Sequence, residues 1–391
     1  AVNASLVELS GNSGLALFPL HPNEYAPPDT TEPSCEVLHN ADEVVTIFTS
    51  ADDTYIRRGG LDSMLPGFLR EVGTRLAVFG SCPRDTKAST RGKMYQIRLK
   101  LTSLFRLLMA CKPPETVCVG AFDSDTLWLP GFKHQLRSLC QNWNSLLPGT
   151  DVLFHAESSI QPPHFNREMH LHASGMYHGL NGGGFYGRWR AVSSAIAASM
   201  QMYGVHIAGV IQAQHAPQQL LPLALQPYLN DQGSWMKLFA EQRRVVRVQN
   251  STWITRSRIG LDANAAYMQA MFAPWADKMP DQSSDTKKME RTLVRTAEGG
   301  VKNQMTHTAP IELHYNGPGR LAHGSQALSI QAMVGSWPPC DTQILESRVH
   351  LLDFVKLSRR QLNASMWCRG NIAGHTRDKV KRKDVRTQFK A

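Results

Sequence analysis

The sequence predicts an α/β fold, a Rossmann-like mixed sheet flanked by helices. Two observations predict it. Strand-like and helix-like segments alternate from residue 43 to residue 129, an order that lays parallel strands side by side under covering helices. In addition, the short apolar run Thr116 to Ala121 reads as a strand buried on both faces, and Asp123 and Asp125 follow it. The carboxyl end of such a strand is where open α/β sheets bind ligands.

The elements follow in order. Residues 1–40 are Pro-punctuated and without periodicity, an irregular leader. Glu43 to Thr49 is a strand, and Ser50-Ala-Asp-Asp53 is the polar turn after it, a place for a nucleotide base or ribose. Thr46 and Thr49, on that strand, are assigned to the nucleotide. Apolar residues at helical spacing run from Leu61 to Val72, Arg75 to Phe79 is a second strand, and Met94 to Ala110 is a basic amphipathic helix. After the central strand, 131–145 is expected to be helical and Asp151 to Phe154 a strand ending in His155-Ala-Glu157. His164, His170, His172 and His178 follow, at spacings that fit no tight metal site.

Leu180-Asn-Gly-Gly-Gly-Phe-Tyr-Gly187 is expected to be a glycine turn before a helix over 190–203. Glycines there would let a backbone approach a ligand closely. A helix is expected over 231–242, with Asp231 able to cap its start. Strands are expected at 244–248, 258–262 and 309–314, polar surface insertions at 273–308, and a helix at 345–363. Three parts result: the leader 1–40, a domain 41–320 (41–150 for the nucleotide, 151–320 for sugar and acceptor), and an extension 321–391 with a basic tail.

Composition bounds the reading. The 391 residues are 42% hydrophobic and 19% charged, ordinary for a globular chain. No apolar run approaches the ~20 residues that span a bilayer. The net charge is +10, and five Lys and six Arg against three Asp in 351–391 hold most of the excess. Of the seven cysteines none forms a Cys-x-x-Cys pair, which argues against a structural zinc site. Cys118 is expected to be a small buried hydrophobe, and Cys340 and Cys368 could pair. Sequons at Asn3, Asn250 and Asn363 favour a secretory chain.

The chemistry centres on Asp123 and Asp125. Two carboxylates one residue apart in a surface turn can reach one hard cation, and such a cation neutralises a departing pyrophosphate. His314, at the end of a later strand, can complete an oxygen-rich site and suits manganese better than magnesium.

Several stretches, in one order, resemble the glycosyltransferase domain of the procollagen lysyl hydroxylase/glycosyltransferase family. Phe122-Asp-Ser-Asp125 looks like its metal-binding aspartate turn. Phe154-His-Ala-Glu-Ser-Ser-Ile-Gln-Pro162 aligns on Phe-Ser-Ala-Glu-x-x-Cys-Trp-Pro, and Leu180 to Gly187 on Leu-Asn-Ser-Gly-Gly-Phe-Ile-Gly. Asn230-Asp-Gln232 aligns on Asp-Asp-Gln, and Leu261-Asp262 with Gln269 on the family's Leu-Asp and later Gln. Pro310-Ile-Glu-Leu-His-Tyr-Asn-Gly-Pro318 aligns on Pro-Ile-Val-Val-His-Gly-Asn-Gly-Pro.

The resemblance implies a GT-A glycosyltransferase fold, a UDP-sugar donor, Mn2+ and retention of anomeric configuration. It makes Asp125 and His314 metal ligands, with Asp123 as the second carboxylate. It sets Glu157, Asn181 and Asp231 toward the sugar and the reacting centre, Asp231 and Glu157 as catalytic residues. Ser124, Gly182 and Gly183 would lie against the donor, and Asn316, Gly317 and Arg320 beside the pyrophosphate. Gln161 stands where the family has a Trp, and Ser124 where it has a Tyr. The expected function is transfer of a hexose from a UDP-sugar to a protein or glycan acceptor in the secretory lumen. A DNA-base glucosyltransferase using the basic tail, or a non-catalytic sugar-nucleotide-binding module, are the alternatives.

Overall fold

The structure, a computed structural model, describes residues 35–40, 43–50, 61, 63–79, 101, 103–105, 107–157, 177, 179–199, 231–248, 259–271, 293–297, 300–315 and 342–352. For residues 231, 241–248, 342, 345, 346 and 351 it describes the backbone alone. The strands are β1 (Val45–Ser50), β2 (Thr74–Phe79), β3 (Cys118–Phe122), β4 (Thr126–Trp128), β5 (Val152–Glu157) and β6 (Gly179–Arg188). They continue as β7 (Ile259–Leu261), β8 (Met268–Ala270), β9 (Leu293–Arg295), β10 (Val301–Asn303), β11 (Glu312–His314) and β12 (Val349–Leu352). Four helices matter below: α1 (Leu65–Arg70), α2 (Phe132–Gln141), α3 (Asp231–Val248) and α4 (Thr342–Arg348).

Among the described residues, ten strands form one mixed sheet in the order β12-β2-β1-β3-β6-β5-β8-β11-β4, with β7 beside β5. The run β12-β2-β1-β3 is parallel. β6 then lies antiparallel between β3 and β5. The sheet is Rossmann-like: a parallel run of four strands, an antiparallel strand at its border, and Asp123 and Asp125 at the carboxyl end of β3. β4 closes the far end, antiparallel to β11.

Alternate residues along each strand enter different clusters, which shows that both faces are covered. Phe48, Val119, Ala121 and Phe154 belong to one core, with Trp235. Ile47, Phe122 and Leu153 belong to the other, with Trp128 and Phe132. Phe154 meets Phe185 and Trp235 at ring-centroid distances of 5.2 and 4.9 Å, which seats α3 on the sheet. Fully burying one such side chain contributes roughly 2–3 kcal/mol.

Remote carboxylates fix two local turns. Glu71 accepts the amides of Gly131, Phe132 (3.1 Å) and Lys133 (2.9 Å), satisfying the free N–H groups at the start of α2. Asp262 accepts the amides of Ala266, Tyr267 and Met268 at 2.7–2.8 Å and so shapes the entry to β8. Burial pushes both carboxyls up, against the pull of those amides.

Several expectations are corrected. Leu180 to Gly187 is not a turn; it lies within the ten-residue strand β6. Its glycines pack under side chains from neighbouring elements, and strand pairing on both sides outweighs glycine's preference for turns. The strand expected at 244–248 is the last part of α3. Residues 345–363 are not one helix, because α4 ends at Arg348 and β12 begins at Val349. β12 pairs with β2, so sequence beyond residue 320 contributes a strand to the sheet. Within 273–308, β9 and β10 form a hairpin with Leu293 and Val301 buried. Cys118 is bonded to Cys140, and Cys35 to Cys111. Cys340, Cys368, the sequon asparagines and the four clustered histidines at 164–178 lie outside the described residues.

Candidate functional site

Two strand ends build the candidate site. β3 delivers Asp123, whose amide donates to Gly183 O at 2.6 Å on β6. The chain then turns into β4, which pairs with β11 so that Thr126 lies opposite His314. The Tyr315 amide donates to Asp125 O at 3.1 Å, tying the residue after His314 to the second aspartate. His314 Nε2 lies 3.3 Å from Asp125 Oδ1 and 3.9 Å from Asp123 Oδ2. One ligand atom from each residue lies within 4.8 Å of the others.

This donor set fits a divalent cation. Ligand atoms at about 2.1–2.4 Å from a common centre lie roughly 3–4.8 Å from one another. Two carboxylates and an imidazole suit a borderline cation such as Mn2+. Asp123 is partly open, its side chain 34% exposed, while Asp125 and His314 are buried. Asp125 therefore does not sit in a surface turn as expected; pairing of β4 with β11 encloses it. Burial pushes the His314 imidazole down, but attraction and a hydrogen bond from Asp125, with the charges of Asp123 and Glu312, outweigh that and raise it above its ordinary value.

No family profile matches the sequence, and no curated protein matches it. Solved structures do match. Mouse xyloside xylosyltransferase 1, in its apo form, matches at 11% identity over 70% of this chain and 97% of that one, with a TM-score of 0.34. The glycosyltransferase GlyE of Streptococcus pneumoniae matches at 11% identity over 74% of this chain and 62% of that one, with a TM-score of 0.34. The galactosyltransferase LgtC, in complex with donor and acceptor sugar analogs, matches at 12% identity over 77% and 99%, with a TM-score of 0.33. All three are glycosyltransferases by name.

Behind Asp123, Asp125 and His314 lies a buried polar layer. Glu157, at the end of β5, accepts from Asn181 Nδ2 at 3.0 Å and from Gln232 Nε2 at 2.7 Å. Asn181 Oδ1 accepts the Gly183 amide at 2.7 Å. Glu157 and Asn181 are thus engaged with one another, and Gln232 brings in the first turn of α3, where Asp231 begins the helix. Gly182 lets that turn approach: a Cβ there would stand 3.1 Å from Trp235 and 3.4 Å from the Gln232 Cα. At Gly183 a Cβ would collide with the His314 imidazole, 2.1 Å away. These two glycines therefore let Trp235, Gln232 and His314 pack closely against β6.

The remaining predicted residues are placed as follows. Thr46 Oγ1 donates to Val37 O at 3.1 Å. Thr49 is fully buried, and its hydroxyl has no hydrogen-bond partner among the described residues. Ser124 accepts the Ser63 hydroxyl at its carbonyl, 3.0 Å, which anchors the turn between the two aspartates. Asn316, Gly317 and Arg320 lie outside the described residues, as does Gln161.

Sequence reasoning missed two residues. His155 and Glu312 are both fully buried, and His155 Nε2 meets Glu312 Oε2 at 2.5 Å. The His155 ring stacks on that of His314, centroids 5.0 Å apart and planes 18° from parallel. A signal was present. Both are titratable residues inside apolar strand runs, Leu153-Phe-His-Ala156 and Ile311-Glu-Leu313.

Proposed function

We propose that this chain is a metal-dependent glycosyltransferase that moves a hexose from a UDP-sugar to a hydroxyl of a protein or glycan acceptor, with retention of configuration. The observation that carries the reading is the convergence of Asp123, Asp125 and His314, from two distant strand ends, into one donor set. Mn2+ is the proposed cation, and it would supply charge neutralisation for the departing pyrophosphate.

The chain's own residues do the rest. Asp123, Asp125 and His314 hold the cation at the carboxyl end of β3. Glu157, through Asn181 and Gln232, fixes the start of α3 against β6. That places Asp231 at the helix start, where a carboxylate can stabilise positive charge growing on the anomeric carbon. Asn316, Gly317 and Arg320 are proposed to lie beside the diphosphate, and Thr46, Thr49 and Ser124 near the nucleoside. Two disulfides support a secretory or extracellular home, because such bonds persist in oxidising compartments. That home also weighs against nuclear DNA as acceptor.

The test is a panel of UDP-sugars with the purified chain. Hydrolysis or transfer of one of them is expected with Mn2+ and lost in EDTA. Full activity in EDTA overturns the metal dependence, and inertness toward every donor overturns the transferase reading.

A further inference from the structure

We infer that His155 and Glu312 are a positioning pair, which holds the imidazole of His314 in the plane the cation site requires. The inference rests on the proposed metal site. His155 and Glu312 are 0% exposed, on β5 and β11, and β8 runs between those strands. Glu312 and His314 alternate along β11, so both side chains leave the same face of that strand. The Glu312 carboxylate accepts from His155 Nε2, and this bond sets the His155 ring. The ring lies against both Phe122, T-shaped with centroids 5.6 Å apart, and His314, stacked with centroids 5.0 Å apart. Gly183 and Gly184 complete the slot: Cβ atoms there would fall 2.1 Å from His314 and 2.6 Å from His155.

Packing alone does not call for this pair. Placing a carboxylate and an imidazole out of water is costly, and an apolar pair of similar size generally serves stability as well or better. The two residues nevertheless meet each other, His155 Nε2 and Glu312 Oε2 2.5 Å apart. Their contact lies directly against a proposed ligand. Partners that orient a metal-bound histidine typically change metal affinity about 10–100-fold when removed.

The experiment is Mn2+ binding to the metal-free chain, followed by the electron paramagnetic resonance signal of the free ion, with melting temperature measured in parallel. Wild type is expected to bind. His155→Ser and Glu312→Val each leave a buried partner unmatched, so both are expected to melt lower and to bind Mn2+ about 10–100-fold more weakly. H155S/E312V removes both charged groups but leaves a cavity and a buried hydroxyl without a partner, so it should melt lower than wild type and bind Mn2+ about tenfold more weakly. H155F/E312V fills the space and restores a ring against His314 without the bond that sets it, so its melting temperature should recover while its affinity stays about tenfold low. The inference is overturned if H155S/E312V binds Mn2+ like wild type. It is equally overturned if H155F/E312V both melts and binds Mn2+ like wild type, because packing alone would then hold His314. Failure of wild type itself to bind Mn2+ overturns the metal reading, a result separate from any variant's.

Discussion

Asp125 Oδ1 stands 3.3 Å from His314 Nε2, and the pairing of β4 with β11 holds the two residues there. The contact joins the turn after β3 to the end of a strand that arrives late in the chain. Asp125→Asn keeps the side-chain shape and removes the charge. Mn2+ stimulation should vanish, and turnover should fall by a hundredfold or more, on the order of a lost electrostatic stabiliser. The melting temperature should drop a few degrees, because a buried imidazole loses its charged partner. Mn2+-dependent turnover at or near the wild-type rate would remove Asp125 from the site.

The same contact sets a pH dependence. His314 is raised from 6.5, so the folded chain holds that proton more tightly than the unfolded chain. The stability this confers is complete below pH 6.5 and is lost as pH rises through the raised value. A cation must displace the proton, so Mn2+ affinity should climb over the same interval, by about tenfold per pH unit, and then level off. Titrations of the metal-free chain by calorimetry and by thermal melting should show the two trends in opposite directions. In Asp125→Asn the interval should shift toward lower pH.

Gly183→Ala tests the close approach of β6 to the cation ligands. The added methyl would fall 2.1 Å from the His314 ring, so the ring or the strand must move. Overpacking of this kind costs about 1–3 kcal/mol. Mn2+ affinity should fall well beyond what the stability loss alone would bring. An unchanged affinity would mean that the ring has room to spare.

Asp231→Asn separates two roles for the first residue of α3. As a helix cap it contributes about 1 kcal/mol, and Asn substitutes well. As a carboxylate facing the reacting sugar it lowers the barrier by ~3 kcal/mol, on the order of a hundredfold in rate. A near-wild-type melting temperature, near-wild-type UDP affinity and a large drop in turnover are expected. Normal turnover would leave Asp231 as a cap.

The disulfides Cys35–Cys111 and Cys118–Cys140 should each contribute about 3 kcal/mol. Melting with and without reductant should show a clear loss of stability, and the double variant Cys118→Ser, Cys140→Ser should reproduce part of it. A melting temperature that does not respond to reductant would mean these thiols are not bonded in solution.

What the sequence determined by itself was local and periodic. Alternating apolar runs placed β1, β2 and β3, because a strand buried on both faces must be apolar along its length. The aspartates lay just past β3, since chain order alone puts them at its carboxyl end. His314 was legible because it closes a short strand ahead of Tyr315-Asn-Gly-Pro318, which reads in sequence as a turn.

Tertiary structure decided the rest. Leu180 to Gly187 could be a turn or a strand on local preference; pairing with β3 and β5 made it a strand, and His314 lying over Gly183 explains one of its glycines. Cys118 reads as a small hydrophobe until α2 brings Cys140 beside it. His155 and Glu312 carry no mutual signal in spacing, because they meet across β8 on strands far apart in sequence. Burial and charge pairing depend on which strands become neighbours, and short-range periodicity holds no record of that choice.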